Sequence, residues 1–155
     1  MATYRKLLKN RAGDTIIPVV DGQLGYLVAK GSGNTITTTG GQKVPFNTEV
    51  IKIGNLSLNT TNYSIVVGDG ISWLEISANI FYDKGGYNYG WASIRKNGTE
   101  VAPRSIADCS GGYGSVVFSP FAIPVQSGDV ITIHDIDGNM KIRPPHSWVC
   151  VKQIA

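Results

Sequence analysis

Between Ser72 and Tyr82 the chain reads SWLEISANIFY, with apolar residues on every second position. Leu74, Ile76, Ala78 and Ile80 share one face; Trp73, Glu75, Ser77, Asn79 and Phe81 share the other. Side chains alternate across a strand, so a segment with one wholly apolar face is a strand laid over a core. Helical spacing is nearly absent elsewhere, and that core must come from other strands. Gly90 to Lys96 (GWASIRK) is a second strand, closed by Asn97-Gly98, a hairpin turn whose residues tolerate positive φ. Thr99 to Ala102 returns. Tyr113 to Ile123 is broken by Pro120, which lacks a ladder donor and suits a sheet edge or a bend. Gly128-Asp129 opens Val130 to His134, and Ser147 to Ile154 supplies a last strand. Short strands punctuated by Gly, Asn and Pro predict an all-β fold, an antiparallel β-sandwich jelly roll.

Upstream of these strands the character changes. Gly31-Ser32-Gly33-Asn34 and Thr37-Thr38-Thr39-Gly40-Gly41 have linker composition. The expected organisation is residues 1–41 as an extended N-terminal arm and Gly/Thr linker, and 42–155 as the knob. Charge divides the same way. Residues 1–43 hold six bases against two acids, the rest eight against nine, so the net +3 belongs to the arm. Only four of those bases cluster, without RNA-binding aromatics, so a nucleic-acid partner is not expected. The arm is also apolar, with Leu7, Leu8, Ile16, Ile17, Pro18, Val19 and Val20. It has to bury these side chains on something, and Arg5, Lys6, Leu7, Leu8, Ile16, Ile17 and Val19 are the candidate docking residues.

No apolar run nears the roughly 20 residues of a membrane-spanning helix, so membrane insertion is not expected, nor is a secretion signal. The Asn-x-Ser/Thr patterns at Asn55, Asn59, Asn62 and Asn97 then read as polar loops. Cys109 and Cys150 make no disulfide framework and are expected as free thiols. Catalytic signatures are missing: no zinc pattern around His134 and His146, no nucleophile elbow, no phosphate loop. Gly111-Gly112-Tyr113-Gly114 precedes no helix and reads as a hairpin. Asp135, Asp137 and Asn139 place three oxygen-bearing side chains at alternate positions, a weak calcium candidate that an Asp-Gly turn explains equally. No carboxylate pairing marks a glycosidase. A non-enzyme without cofactors is expected.

Residues 44–155 carry a series of motifs in order: Val44-Pro45-Phe46 leading to Asn55, Asp69-Gly70-Ile71-Ser72-Trp73-Leu74, Lys96-Asn97-Gly98, Val125-Gln126-Ser127-Gly128-Asp129-Val130, and Ser147-Trp148-Val149-Cys150-Val151. This series resembles the globular head domain shared by complement subcomponent one and tumour necrosis factor. Ser72 and Leu74 depart from that family's aromatics, and Cys150 stands where it has Gly. The resemblance implies a homotrimer packed around one sheet. Phe81, Tyr82, Tyr87, Tyr89 and Trp91 cluster around one turn, more aromatic surface than a single sandwich needs inside. Trp73, Phe81, Tyr82, Tyr89 and Trp91 are accordingly the expected trimer-interface residues.

Tyr4-Arg5-Lys6-Leu7-Leu8-Lys9, followed by Gly13-Asp14-Thr15-Ile16-Ile17-Pro18-Val19, is similar to the start of bacteriophage virion proteins of the fibre and head-fibre kind. What this implies is a virion structural protein made in the host bacterial cytoplasm. It would be a short trimeric head fibre or capsid decoration whose arm docks on a capsid or other virion protein. A tail-fibre or baseplate tip binding host surface carbohydrate or protein stands as the alternative. No heptads or repeats supply a long shaft, which favours a short appendage.

Overall fold

The computed structural model describes residues 4–9, 15–20, 25–83, 89–136, 138 and 140–155, the first two stretches as backbone only. In chain order the strands begin with β1 (Tyr4–Lys9), β2 (Thr15–Val20), β3 (Tyr26–Gly31), β4 (Ile36–Thr37) and β5 (Phe46–Ile53). Then come β6 (Leu56–Asn59), β7 (Ser64–Val67), β8 (Trp73–Asp83), β9 (Tyr89–Lys96) and β10 (Thr99–Glu100). Next are β11 (Ser105–Asp108), β12 (Tyr113–Pro124), β13 (Val130–Asp135) and β14 (Lys141–Ile142). A short 3-10 turn, Pro144–His146, leads into β15 (Trp148–Gln153).

These strands build a jelly roll of two antiparallel sheets. In the larger, β8 is central, with β12 on one side and β14 and β15 on the other; β15 is followed by β3 and β5, and β14 by β4. The smaller sheet runs β6-β7-β13-β9, with β10 and β11 both on the far side of β9. The expected alternation of β8 holds: Leu74, Ile76, Ala78 and Ile80 are fully buried between the sheets, with Leu56, Ile94, Ile131 and Val151. Each such side chain contributes roughly 1.5–3 kcal/mol on burial. Pro120 satisfies both sequence readings. Among the described residues β12 pairs only with β8, and its register slips between Phe118 and Phe121.

Two motifs distant in sequence meet at one end of the small sheet. Asn97, at φ 50°, donates through Nδ2 to Asp129 Oδ1 at 2.7 Å and accepts the Val130 N–H at 2.8 Å. Asp129 also accepts the Gln126 N–H at 3.0 Å. Burial works to raise the Asp129 pKa, but the bonds from Asn97 and Gln126 and the nearby Lys96 ammonium outweigh it and hold the carboxyl below its usual range. The two turns are thereby locked to each other.

The boundary expected at residue 41 is wrong. β3 lies inside the large sheet between β15 and β5, and Leu27 and Ala29 have no exposure. The presumed linker is folded as well. β4 pairs with β14, Thr38 is buried with its N–H on Met140 O, and Gln42 to Val44 hydrogen-bond along β13. Gly31, read as linker glycine, passes Pro144 so closely that a Cβ would overlap it. The His134 ring sits between Gly41 O at 2.7 Å and Thr132 Oγ1 at 3.0 Å. Burial lowers its pKa, the Gly41 carbonyl opposes this, and the Arg95 and Lys43 charges add to the lowering. Glycine and threonine here serve close approach and side-chain hydrogen bonding rather than slack. The unit separate from the knob is shorter: β1 and β2 form a two-stranded sheet of their own.

Candidate functional site

The feature that stands out is the outward face of the large sheet. Every second residue of β8 points away from the core, and strand pairing extends that parity to its neighbours. Val117 lies opposite Asn79, Trp148 opposite Asn79 from the other side, Cys150 opposite Ser77, Val28 opposite Cys150 and Ile51 opposite Val28. The result is a mixed face on which Trp73, Phe81, Val117, Trp148, Val28 and Ile51 stand among Glu75, Ser77, Asn79 and Lys152, the last 4.0 Å from Glu75. Val117 is 56% exposed, Ile51 44%, Trp73 42% and Trp148 40%. Several large apolar side chains this exposed on one sheet face mark a surface that a partner can cover. Within this face the neighbouring Cys150 side chain, with partial burial, raises the Tyr26 pKa.

One end of the face is polar. Arg143 donates from Nε to Asp83 Oδ2 at 2.6 Å, and its guanidinium lies 5.0 Å from the centre of the Tyr113 ring. Asp83 is the leading cause that raises the Arg143 pKa. Phe81 joins this end through Tyr113 at 6.0 Å and His146 at 5.4 Å between ring centres. The face therefore sets exposed apolar side chains among polar ones, with a charged and aromatic end, a mixture found at protein–protein contacts.

Not all the expected interface residues lie here. Trp73 and Phe81 do. Tyr82 does not: its neighbours in sequence face outward while it faces inward with 0% exposure, its hydroxyl donating to Asp135 Oδ1 at 3.0 Å. It has no surface to lose on assembly, and that assignment is corrected. Tyr89 and Trp91 stand on β9, in the other sheet. Trp148, Val117 and Ile51 were missed. The alternation of Val116 and Phe118 around Val117, and of Val149 and Val151 around Cys150, carried the signal for the first two.

The remaining candidates can be placed briefly. Arg5, Lys6, Leu7 and Leu8 fall on β1, and Ile16, Ile17 and Val19 on β2; their side chains lie outside the described residues. Asp135 is buried with both oxygens occupied, by the Tyr82 hydroxyl and by the Gly138 N–H at 3.1 Å, so it holds a turn. Asp137 and Asn139 lie outside the described residues. Among the described residues no three His, Cys, Asp or Glu side chains gather as a metal site. Cys109 and Cys150 are both free, and burial pushes the Cys109 thiol pKa up.

No family model and no curated protein sequence matches the chain. Solved structures do match in shape. The globular domain of zebrafish complement 1qA protein aligns at TM-score 0.63 and 9% identity, over 86% of this chain and 98% of that one. A structure of murine APRIL aligns at TM-score 0.62 and 16% identity, over 85% of this chain and all of that one. Eiger TNF from S. frugiperda aligns at TM-score 0.61 and 11% identity, over 86% and 94%. The fold is thus the jelly roll of the tumour necrosis factor and complement heads, as the motif series implied.

Proposed function

We propose that the chain is a bacteriophage virion structural protein: a short homotrimeric head fibre or capsid decoration, docked by its N-terminal arm and displaying the knob. The observation that carries this is the set of exposed large apolar side chains on the outward face of the large sheet. It leaves Trp73, Val117, Trp148 and Ile51 exposed on one chain, and closed rotational symmetry is the usual way identical chains cover such residues. The assembly is structural, with no catalytic step.

The arm supports the rest of the reading. A lone two-stranded hairpin is marginal in water, so β1 and β2 need a surface to rest on. Arg5, Lys6 and Lys9 on β1 suit an acidic one and speed its capture. The arm leaves the knob at a fixed point: Gly25 N donates to Gln153 Oε1 at 2.7 Å, and Gln153 N donates back to Gly25 O at 2.6 Å. The likeness of the opening residues to phage fibre proteins supplies the setting. Two free thiols suit a protein made in a reducing bacterial cytoplasm.

A tail-fibre or baseplate tip that attaches to host carbohydrate or protein is the second reading, favoured by the aromatic residues of β9, which the trimer face leaves unused. The test of the first reading is incorporation. Deleting residues 2–24 should leave a folded trimer that no longer joins particles lacking the native protein. Wild-type occupancy by the truncated chain would show that the knob docks directly and that the arm is no anchor.

A further inference from the structure

The aromatic residues fall into two groups that one interface cannot hold. Trp73 and Phe81 face out from the large sheet; Tyr89 and Trp91 face out from the small one. Between them Gly90 faces inward, where an added Cβ would sit 3.0 Å from the Tyr82 ring. That fixes the parity of β9 and turns both rings toward solvent. Tyr89 is 51% exposed, and across the ladder Ile106, opposite Trp91, is 47% exposed. Opposite Tyr89 stands Asp108. Its Oδ1 accepts the Ser110 N–H at 2.8 Å, and this backbone bond leads the causes that hold the carboxyl below its usual range. A carboxylate has about four acceptor positions, so lone pairs remain for a ligand.

The strip also has a defined place. β8 ends at Asp83 and β9 begins at Tyr89, so Tyr89 and Asp108 lie at the end where β8 finishes. Gly25 and Gln153 sit at the other end, where β15 runs out beside Leu74. The rings are therefore presented at the end of the knob away from Gly25.

We propose that Tyr89, Trp91 and Asp108 form a binding strip for a neutral, hydroxyl-rich glycan. Residues two apart on a strand stand about 6.6 Å apart, so the two rings make a platform one to two sugar units long. Aromatic faces take the C–H faces of pyranose rings while the Asp108 carboxylate accepts from hydroxyls, the usual division of labour between apolar lining and few polar anchors. Phosphate-bearing ligands meet repulsion from Asp108. Arg95 stands six residues along β9 from Tyr89 and shares the Glu100 carboxylate with Arg104, at 3.7 and 3.1 Å. A protein partner would need about 800 Å² on each side, more than two rings and an isoleucine offer. The strip is complete in one chain and independent of the virion reading; in a trimer, three copies would add avidity.

The full-length protein should be applied to an array of neutral hexose, N-acetylhexosamine and deoxyhexose oligosaccharides, printed beside sialylated and phosphorylated ones. Retention on a neutral series is expected, with affinity reduced about tenfold by Tyr89→Ala and by Trp91→Ala, and also reduced by Asp108→Asn. Thr60→Ala, in the exposed turn between β6 and β7, should bind as the wild type does. Retention on anionic glycans alone, on none, or equally by Tyr89→Ala would overturn the proposal. If Trp91→Ala does not fold, exposed Tyr89→Ala and Asp108→Asn decide the matter. The mass of each sample in solution is measured alongside. A trimer that ignores neutral glycans refutes the strip and leaves the assembly reading standing.

Discussion

Asn97 shows how much one residue can hold and how little of that its own neighbourhood reveals. The Asn97-Gly98 pair reads as a turn from sequence, and so does Gly128-Asp129. That the two turns are hydrogen-bonded to each other does not read, because 32 residues separate Asn97 from Asp129. Removing the Asn97 side chain takes one hydrogen bond from a buried carboxylate and leaves it the Gln126 N–H and the Lys96 ammonium, at a cost of about 1–3 kcal/mol. Its φ of 50° adds a second penalty for any residue with a Cβ. Asn97→Ala should therefore destabilise the knob more than Asn97→Gly, by ~1 kcal/mol in urea unfolding. Equal losses would place the whole contribution in the side chain. Tyr82 makes a related point. Its even position among Leu74, Ile76, Ala78 and Ile80 already placed it inside; grouping it with the aromatic cluster obscured that parity.

At the scale of elements, strands with clean alternation were legible and strands whose neighbours lie far off in sequence were not. β8, β9, β13 and β15 declare themselves by their apolar periodicity. β3 has the same alternation, with Leu27 and Ala29 inward, yet it sits before a Gly/Thr-rich stretch that resembles a linker. Its partners, β15 and β5, lie over a hundred and about twenty residues away, and local pattern cannot show that pairing. The difference between linker and strand has a direct consequence. Deleting residues 2–41 removes β3 and β4 and exposes Val149 and Val151 along an open β15 edge, so this truncation should yield insoluble or unfolded protein. The 2–24 deletion should keep a cooperative thermal transition. A folded, cooperative 42–155 fragment would contradict the placing of β3 between β15 and β5.

For the whole molecule, the fold follows from the strand pattern and the motif series, while the assembly face became readable only once register was known. Trp73 and Phe81 announce the face from within β8, but Val117, Trp148 and Ile51 join it through three other strands. Hence the sequence reading found the two members within β8 and missed Trp148, Val117 and Ile51, which other strands bring beside them. The claim on which most else depends is that this face is covered by two further copies of the chain. Light scattering coupled to gel filtration, at micromolar protein, tests it most directly with the wild type and Val117→Glu. Val117 is 56% exposed on one chain, so a glutamate there is harmless to a monomer and costly in a closed apolar contact. The account predicts three times the mass of one chain for the wild type and a single folded chain for Val117→Glu; a wild type that runs as one chain would contradict it.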